Sequence, residues 1–318
     1  MHHSVVCSAY FCKRTTSESL NWQELLSKIE QGDARSLARG ISLVENEYPG
    51  YGDLLRAIKT SPAKIIGITG PPGAGKSTLT DALIELLVKD GKKVAVLCID
   101  TSSPFHRGAV LGDRIRMGDW YTHPDVFIRS LATRGSSGGL HPKIIEITDL
   151  LKAAQYDHIL VETVGVGQTE IEISGLADVT VVVMVPEAGD EVQTMKAGLM
   201  EIADIFVVNK SDRPDADLFV HHLRQMLAPT FNTHYHEVPV VKTVAHEKKG
   251  ITELLDIITH QLQKSHLTDR RFWLLAERAF WLIEQKRMHG VDKAELKKEI
   301  EKVYDRGNFN LYQFIADK

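Results

Sequence analysis

Cysteine is scarce in this chain, charge of either sign is in no large excess, and no apolar run approaches the length of a membrane span. Three cysteines (Cys7, Cys12 and Cys98) in 318 residues form no disulfide framework. Cys98 falls within a run expected to be a core strand, which points to a reducing compartment. Lysine and arginine number 38 against 42 acids, a formal charge of −4, so nothing global favours nucleic acid or acidic lipid. The absence of a long apolar segment argues against a membrane-spanning helix. Val5–Phe11 is too short and too poorly patterned for a secretion signal, although the basic, Ser/Thr-bearing start leaves a degenerate transit peptide as the alternative to a cytoplasmic protein. There are 14 histidines, including His221-His222 and the His234/His236 pair, but no Cys-x-Cys-Cys and no histidine-rich run. They read as helix and loop residues. No internal repeat or low-complexity tract is present.

What is there is ordinary in bulk and specific in detail. Hydrophobic content of 43% and charged content of 25% suit a folded protein with one large core and appendages. Residues 67–78 read Gly-Ile-Thr-Gly-Pro-Pro-Gly-Ala-Gly-Lys-Ser-Thr. The glycine–four-residue–Gly-Lys-Ser spacing of Gly70, Gly75, Lys76 and Ser77 is that of a phosphate-binding loop, or Walker A motif. The β-branched run Lys64–Thr69 precedes it as a buried strand, and Leu79–Leu87 follows with the apolar spacing of a helix. Backbone N–H groups across Gly70, Pro71, Pro72, Gly73, Ala74, Gly75, Lys76, Ser77 and Thr78 (the prolines contributing only shape) and the helix N-terminus are expected to wrap a polyphosphate. Lys76 is expected to reach the β- and γ-phosphates, and the Ser77 hydroxyl to ligate Mg²⁺.

A second motif names the base. Asp204–Val208 reads as a strand, and Asn209-Lys210-Ser211-Asp212 follows at its carboxyl end, where open α/β sheets bind ligands. A carboxylate at Asp212 accepts from the guanine N1–H and exocyclic amine, whereas adenine presents the opposite pattern, so GTP and GDP are the expected nucleotides. Asn209 is expected to brace the loops around the base, with the Lys210 stem along its face. Val240–Thr243 leads to Val244-Ala245-His246, the segment expected to edge the guanine through backbone groups.

Between these lies a candidate γ-phosphate sensor. The strand Asp157–Val161 ends in Glu162-Thr163-Val164-Gly165. Glu162 is expected to meet Mg²⁺ through water, and the Gly165 N–H to meet the γ-phosphate. Val166 stands where many GTPases place a water-orienting glutamine, so intrinsic hydrolysis is expected to be slow. Asp100 ends the strand Val94–Ile99 and is a second candidate for Mg²⁺ or its waters, and a catalytic candidate for positioning the attacking water. In the polar segment 101–117, Asp113 is a candidate for positioning water or metal, the alternative being a surface acid paired with Arg114 or Arg116. Arg129, Arg134 and Gly135–Gly139 read either as a phosphate or partner contact or as a plain loop after the strand Asp125–Ser130.

The organisation is an α/β fold of the P-loop GTPase kind, with a mostly parallel sheet of about seven strands. Residues 1–60 are expected to form a helical N-terminal extension, with helices at Trp22–Ile29 and Ala34–Glu45 and a break at Tyr48–Gly52. Residues 61–265 form the G domain, and 266–318 a C-terminal helical arm. From Leu267 onward, Phe272, Trp273, Leu275, Ala276, Ala279, Phe280, Leu282 and Ile283 give a helix too apolar for a solvated face. It packs either on its own domain or on another chain.

The phosphate loop, Ser102–Phe105 leading into Leu111–Arg114 and Arg116-Met117, Glu162–Gln168, Ala188–Glu191 and Asn209–Asp212, taken in order, resemble the MeaB/ArgK family of methylmalonyl-CoA mutase-associated GTPases. The methylmalonic aciduria type A protein is the mitochondrial relative. The resemblance runs over roughly residues 20–290. It implies a homodimeric G-protein chaperone, paired through the C-terminal arm, that gates cofactor delivery to an adenosylcobalamin-dependent mutase and protects or reactivates it. It also implies a third switch over Pro186–Lys196, with Gln193 and Lys196 carrying the signal. Glu187 departs from the glycine expected there, the His106-Arg107 region from a glycine-rich turn, and Val244–His246 from the usual Ser-Ala. Two other readings remain: a metallocentre-assembly GTPase delivering nickel or zinc, and a kinase acting on a transport protein.

Overall fold

The computed structural model describes residues 20–59, 61–100, 117–134, 140–163, 171–187, 198–227, 238–264, 269–288, 291–304 and 309–316. The chain divides into two compact units, residues 1–267 and 268–318.

The first unit is built on a seven-stranded sheet in which every pairing is parallel. The strands are β1 (Lys64–Thr69), β2 (Val94–Asp100), β3 (Val126–Ala132), β4 (His158–Glu162), β5 (Val179–Met184), β6 (Ile205–Val208) and β7 (Val240–Lys242). Their order is β3-β2-β4-β1-β5-β6-β7. Parallel strands covered by helices on both faces need apolar residues at consecutive positions rather than alternate ones. β2 and β5 meet that need, buried at every residue.

The helices follow from local signals. α1 (Trp22–Glu30) starts where the Asn21 side chain accepts from the Glu24 N–H at 3.1 Å. α2 (Ala34–Glu45) starts where Asp33 accepts from the Ser36 N–H at 2.8 Å. Both are N-caps of the preferred residue type. Tyr48–Gly52 does not end the helical region as the sequence suggests. The chain turns at Gly50, and α3 (Tyr51–Ala57) begins at the next residue. α4 (Lys76–Lys89) follows the phosphate loop, α5 (Ile144–Ala153) precedes β4, and α6 (Ile171–Leu176) lies against β1 and β5. Then come α7 (Gly198–Ile202), α8 (Ala216–Leu227) and α9 (Ile251–Lys264). α4 and α9 share one core with Ile66, Ile68, Val96, Leu160, Val181 and Val207 of the sheet. α1 packs on α2 and α3, and all three pack on α5.

Three aspartates set the strands in step. Each directly precedes a strand and accepts from a backbone N–H of the adjoining strand or the residue leading into it. Asp157 takes the Lys93 N–H at 2.8 Å, Asp178 that of Ile65 at 2.7 Å, and Asp204 that of Thr180 at 2.7 Å. They stand at the amino ends of β4, β5 and β6. β3, predicted to stop at Ser130, continues to Ala132. Its Arg129 turns to α2, donating to Ser42 Oγ at 3.1 Å and pairing with Glu45. Arg134 donates to the Glu45 carbonyl at 2.7 Å. These arginines therefore bind α2, while residues 135–139 lie outside the described ones.

The second unit contains α10 (Asp269–Arg287), α11 (Lys293–Tyr304) and α12 (Leu311–Ala316). α10 exposes Phe272, Trp273, Leu275, Phe280, Leu282 and Ile283. Phe309 sits between Tyr304 and Phe314, with ring centroids 5.8 and 6.1 Å away.

Candidate nucleotide and magnesium site

The carboxyl ends of β1, β2, β4, β5 and β6 carry the side chains singled out in the sequence. β1 delivers the loop from Gly70 to Gly75. A side chain at Gly70 would collide with the Val183 carbonyl of β5, so the loop passes β5 at a distance only glycine permits. Gly75 has φ +89°, in the left-handed region, and a side chain there would strike the Asn209 amide. These two constraints fix where the loop can lie. Lys76 and Ser77 open α4 and are buried, as are Pro71 and Ala74. Pro72 and Gly73 are exposed, and Thr78 is half-buried. The Lys76 ammonium donates to the carbonyls of Gly70 at 2.8 Å and Pro71 at 3.1 Å, so its charge sits inside the loop's curve.

Ser77 Oγ donates to Glu162 Oε1 at 2.6 Å. Thr80 Oγ1, one turn further along α4, lies 3.1 Å from Glu162 Oε2 and 2.9 Å from the Lys76 carbonyl. Beside Glu162, the hydroxyls of Thr69 and Thr163 meet at 2.8 Å, tying the end of β1 to the end of β4. Asp100 ends β2, in register beside β4 through the Cys98–Glu162 pair, and is buried. Two carboxylates and a serine hydroxyl at neighbouring strand and helix ends form an all-oxygen donor set, which fits a hard cation such as Mg²⁺.

Asn209 is the cross-tie of the site. Its Nδ2 donates to the Ala74 carbonyl at 2.8 Å, and its Oδ1 accepts from Thr243 Oγ1 and the Ala245 N–H, each at 3.1 Å. One buried amide thus joins the phosphate loop to the segment Val244-Ala245-His246. Lys210, with φ +55°, donates from Nζ to the Gly73 carbonyl at 2.7 Å. The Ser211 N–H donates to the Thr243 carbonyl at 3.0 Å, which leaves Asp212 exposed at the tip of the turn. Val244 and Ala245 are buried, and His246 is exposed beside Glu247. Glu187, where a glycine was expected, pairs with Arg213. The Arg213 hydrogen bond pulls the Glu187 carboxyl below its ordinary range.

The structure therefore gathers the phosphate loop, Ser77, Asp100, Glu162, Asn209, Lys210, Asp212 and Val244–His246 at one end of the sheet. Asp113, Gly165, Gln193 and Lys196 lie outside the described residues, as does the His106-Arg107 region. The sequence reading missed Thr80, Thr69, Thr163 and Thr243. The one available signal was for Thr80, which stands three positions after Ser77 and therefore on the same helix face.

A family model described as methylmalonyl Co-A mutase-associated GTPase MeaB matches residues 37–295. The chain belongs to the MeaB family of GTPases. Family members elsewhere show how far the likeness extends. A Pyrococcus abyssi protein is 52% identical over 241 residues, 74% of each chain. The mitochondrial methylmalonic aciduria type A homolog of Caenorhabditis elegans is 38% identical over 214 residues, 62% of this chain and 54% of its own. The crystal structure of a LAO/AO transport system kinase superposes with a TM-score of 0.65 at 25% identity, covering 95% of this chain and 98% of its own. A MeaB-family GTPase hydrolyses GTP, and the phosphate-loop fold here is the one that chemistry uses. Among the described residues, no helix is long and apolar enough to cross a membrane, and no cluster of three or more His, Cys, Asp or Glu side chains is poised to hold a metal.

Proposed function

We propose that the chain is a GTP-hydrolysing chaperone of an adenosylcobalamin-dependent mutase of the methylmalonyl-CoA type, gating cofactor delivery and protecting or reactivating its partner. The observation that carries this reading is the family match, which spans both the phosphate loop and the base-reading motif and whose description is mutase-associated. The name of the Caenorhabditis elegans relative supports it. In this reading the protein works in the cytoplasm as a homodimer, with the apolar residues of α10 as the pairing surface.

The residues divide the work as follows. The N–H groups of the loop cradle the phosphates of GTP or GDP, and Lys76 exchanges its loop carbonyls for phosphate oxygens. Asp212 reads the guanine edge, the Lys210 stem covers a base face, and Val244–His246 closes the far edge. Ser77, Asp100 and Glu162 hold Mg²⁺, directly or through water. Bound Mg²⁺ supplies neutralisation of the charge that develops on the phosphates. Gly165 senses the γ-phosphate and Asp113 positions water, while Gln193 and Lys196 pass partner docking to the site.

The test is co-purification with a methylmalonyl-CoA mutase, with GDP or with a non-hydrolysable GTP analogue, together with steady-state hydrolysis at rising mutase concentration. A nucleotide-dependent complex and hydrolysis accelerated about tenfold, equivalent to about 1.4 kcal/mol of transition-state stabilisation, are expected. Fast hydrolysis without a partner, and no response to any cobalamin mutase, overturns the chaperone reading.

A further inference from the structure

Glu162 is held from two sides by hydroxyls of one helix. Ser77 and Thr80 are three residues apart on α4 and so share a face, one turn above the other. Ser77 Oγ reaches Oε1 at 2.6 Å and Thr80 Oγ1 reaches Oε2 at 3.1 Å. All three side chains are buried, with Thr80 fully so. A buried carboxylate needs hydrogen-bond donors to remain charged, and a glutamate has one more rotatable bond to immobilise than an aspartate. The Ser77 hydroxyl serves Oε1, and the Thr80 hydroxyl serves Oε2 with a hydrogen it shares with the Lys76 carbonyl.

We propose that Thr80 is the positioning residue of the magnesium-side carboxylate. It fixes the plane of Glu162 so that Oε1 stays on the Ser77 hydroxyl and the Ser77 oxygen presents its lone pairs to the cation. This rests on the reading that Ser77 and Glu162 serve Mg²⁺. The threonine hydroxyl has one hydrogen and two acceptors within reach, Glu162 Oε2 and the Lys76 carbonyl at 2.9 Å. Sharing that one hydrogen between the two acceptors, the Thr80 hydroxyl links the carboxylate to the first turn of α4, where Lys76 and Ser77 arise. Glu162→Asp withdraws the carboxylate by one methylene, and so tests whether the contact with Thr80 needs the length of glutamate. Thr80 touches neither nucleotide nor metal in this account, and acts only through Glu162.

The experiment titrates Mg²⁺ against the release rate of a fluorescent GDP analogue, in the full-length protein and in Thr80→Val, Thr80→Ser, Glu162→Gln, Glu162→Asp and Glu162→Asp/Thr80→Val. Valine keeps the shape of threonine, and melting curves confirm folding of each variant. Thr80→Val is expected to raise the half-saturating Mg²⁺ concentration about tenfold, the size typical of a lost outer-shell partner. The release rate without Mg²⁺ is expected to stay unchanged. Thr80→Ser is expected to restore the wild-type titration, and Thr80→Val to add nothing in the Glu162→Asp background. A merely structural role predicts faster release with and without Mg²⁺, and the same increment in both backgrounds. Either result overturns the proposal. If Glu162→Gln weakens Mg²⁺ dependence while Thr80→Val titrates as wild type, the positioning role alone falls. If Glu162→Gln itself titrates as wild type, the assignment of Glu162 to the magnesium falls, and Thr80 with it.

Discussion

The Thr69 and Thr163 hydroxyls meet at 2.8 Å in the interior, one at the end of the strand that feeds the phosphate loop, the other at the start of the segment after Glu162. Either one can donate. Thr69→Val removes one partner and leaves the other buried and unsatisfied, so it is expected to destabilise the protein by about 1–3 kcal/mol. Replacing both by valine removes the polar pair together and is expected to cost less than the two single changes summed. Urea denaturation of the four proteins of this cycle measures the coupling, and strict additivity contradicts it.

Asn209 makes three hydrogen bonds that no neighbour in sequence could make for it. Asn209→Ala strands the Ala245 N–H and the Ala74 carbonyl. It is expected to lower GDP affinity at least about tenfold, because phosphate loop and base edge lose their common tie, and to destabilise the fold by roughly 2 kcal/mol. Calorimetric titration together with thermal melting separates the two effects. Unchanged affinity in a destabilised protein contradicts the bracing role.

Guanine selectivity rests on Asp212 in the proposed assignment. Asp212→Asn turns an acceptor into a donor opposite the guanine N1–H. The loss of two charge-assisted bonds is expected to cost roughly 3 kcal/mol, with preference moving toward xanthosine nucleotides. Calorimetry with GDP and XDP reads this directly, and an unaltered GDP affinity removes Asp212 from the base site.

His158 opens β4, and its Nδ1 has no hydrogen-bond partner among the described residues. Burial pushes the imidazole below its ordinary value of 6.5, with Lys92 adding to this and Asp157 opposing it. The unfolded chain therefore takes up this proton at a higher pH than the folded one. His158 contributes no pH dependence well above 6.5, and stability is lost progressively as pH falls through 6.5 toward the folded value. The melting temperature is expected to fall between pH 7.5 and 5.5, and less steeply in His158→Gln. Parallel curves for the two proteins contradict this.

The elements legible in the sequence were those with local signatures. The loop from Gly70 to Ser77 carries its own spacing, α2 its Asp33 cap, and β2 its continuous apolar run. α3 was missed because Gly50-Tyr51-Gly52 looks locally like a breaker, whereas the helix gains its place by packing on α1 and α5. The hydroxyls around the site were missed for a different reason. Thr69 and Thr163 are 94 residues apart, Thr80 and Glu162 82 apart, and Asn209 and Ala74 135 apart. Such pairs exist only once the sheet order is known; helical spacing marks Thr80 as a neighbour of Ser77 but not of Glu162. Arg129 and Arg134 mark the same limit. Their charge left a phosphate or partner contact open beside a plain loop, while Glu45, far away in sequence, supplies the partner for both.

The aspartates before β4, β5 and β6 lie at one end of the strands, and the phosphate loop, Glu162 and Asn209 at the other. Each of these strands is thus anchored where it enters the sheet, at the rim opposite the phosphate loop, Glu162 and Asn209. Substitutions at Asp157, Asp178 or Asp204 remove a strand-to-strand hydrogen bond at the rim of the sheet opposite Ser77, Glu162 and Asn209, so their first effect is expected on stability rather than on the site.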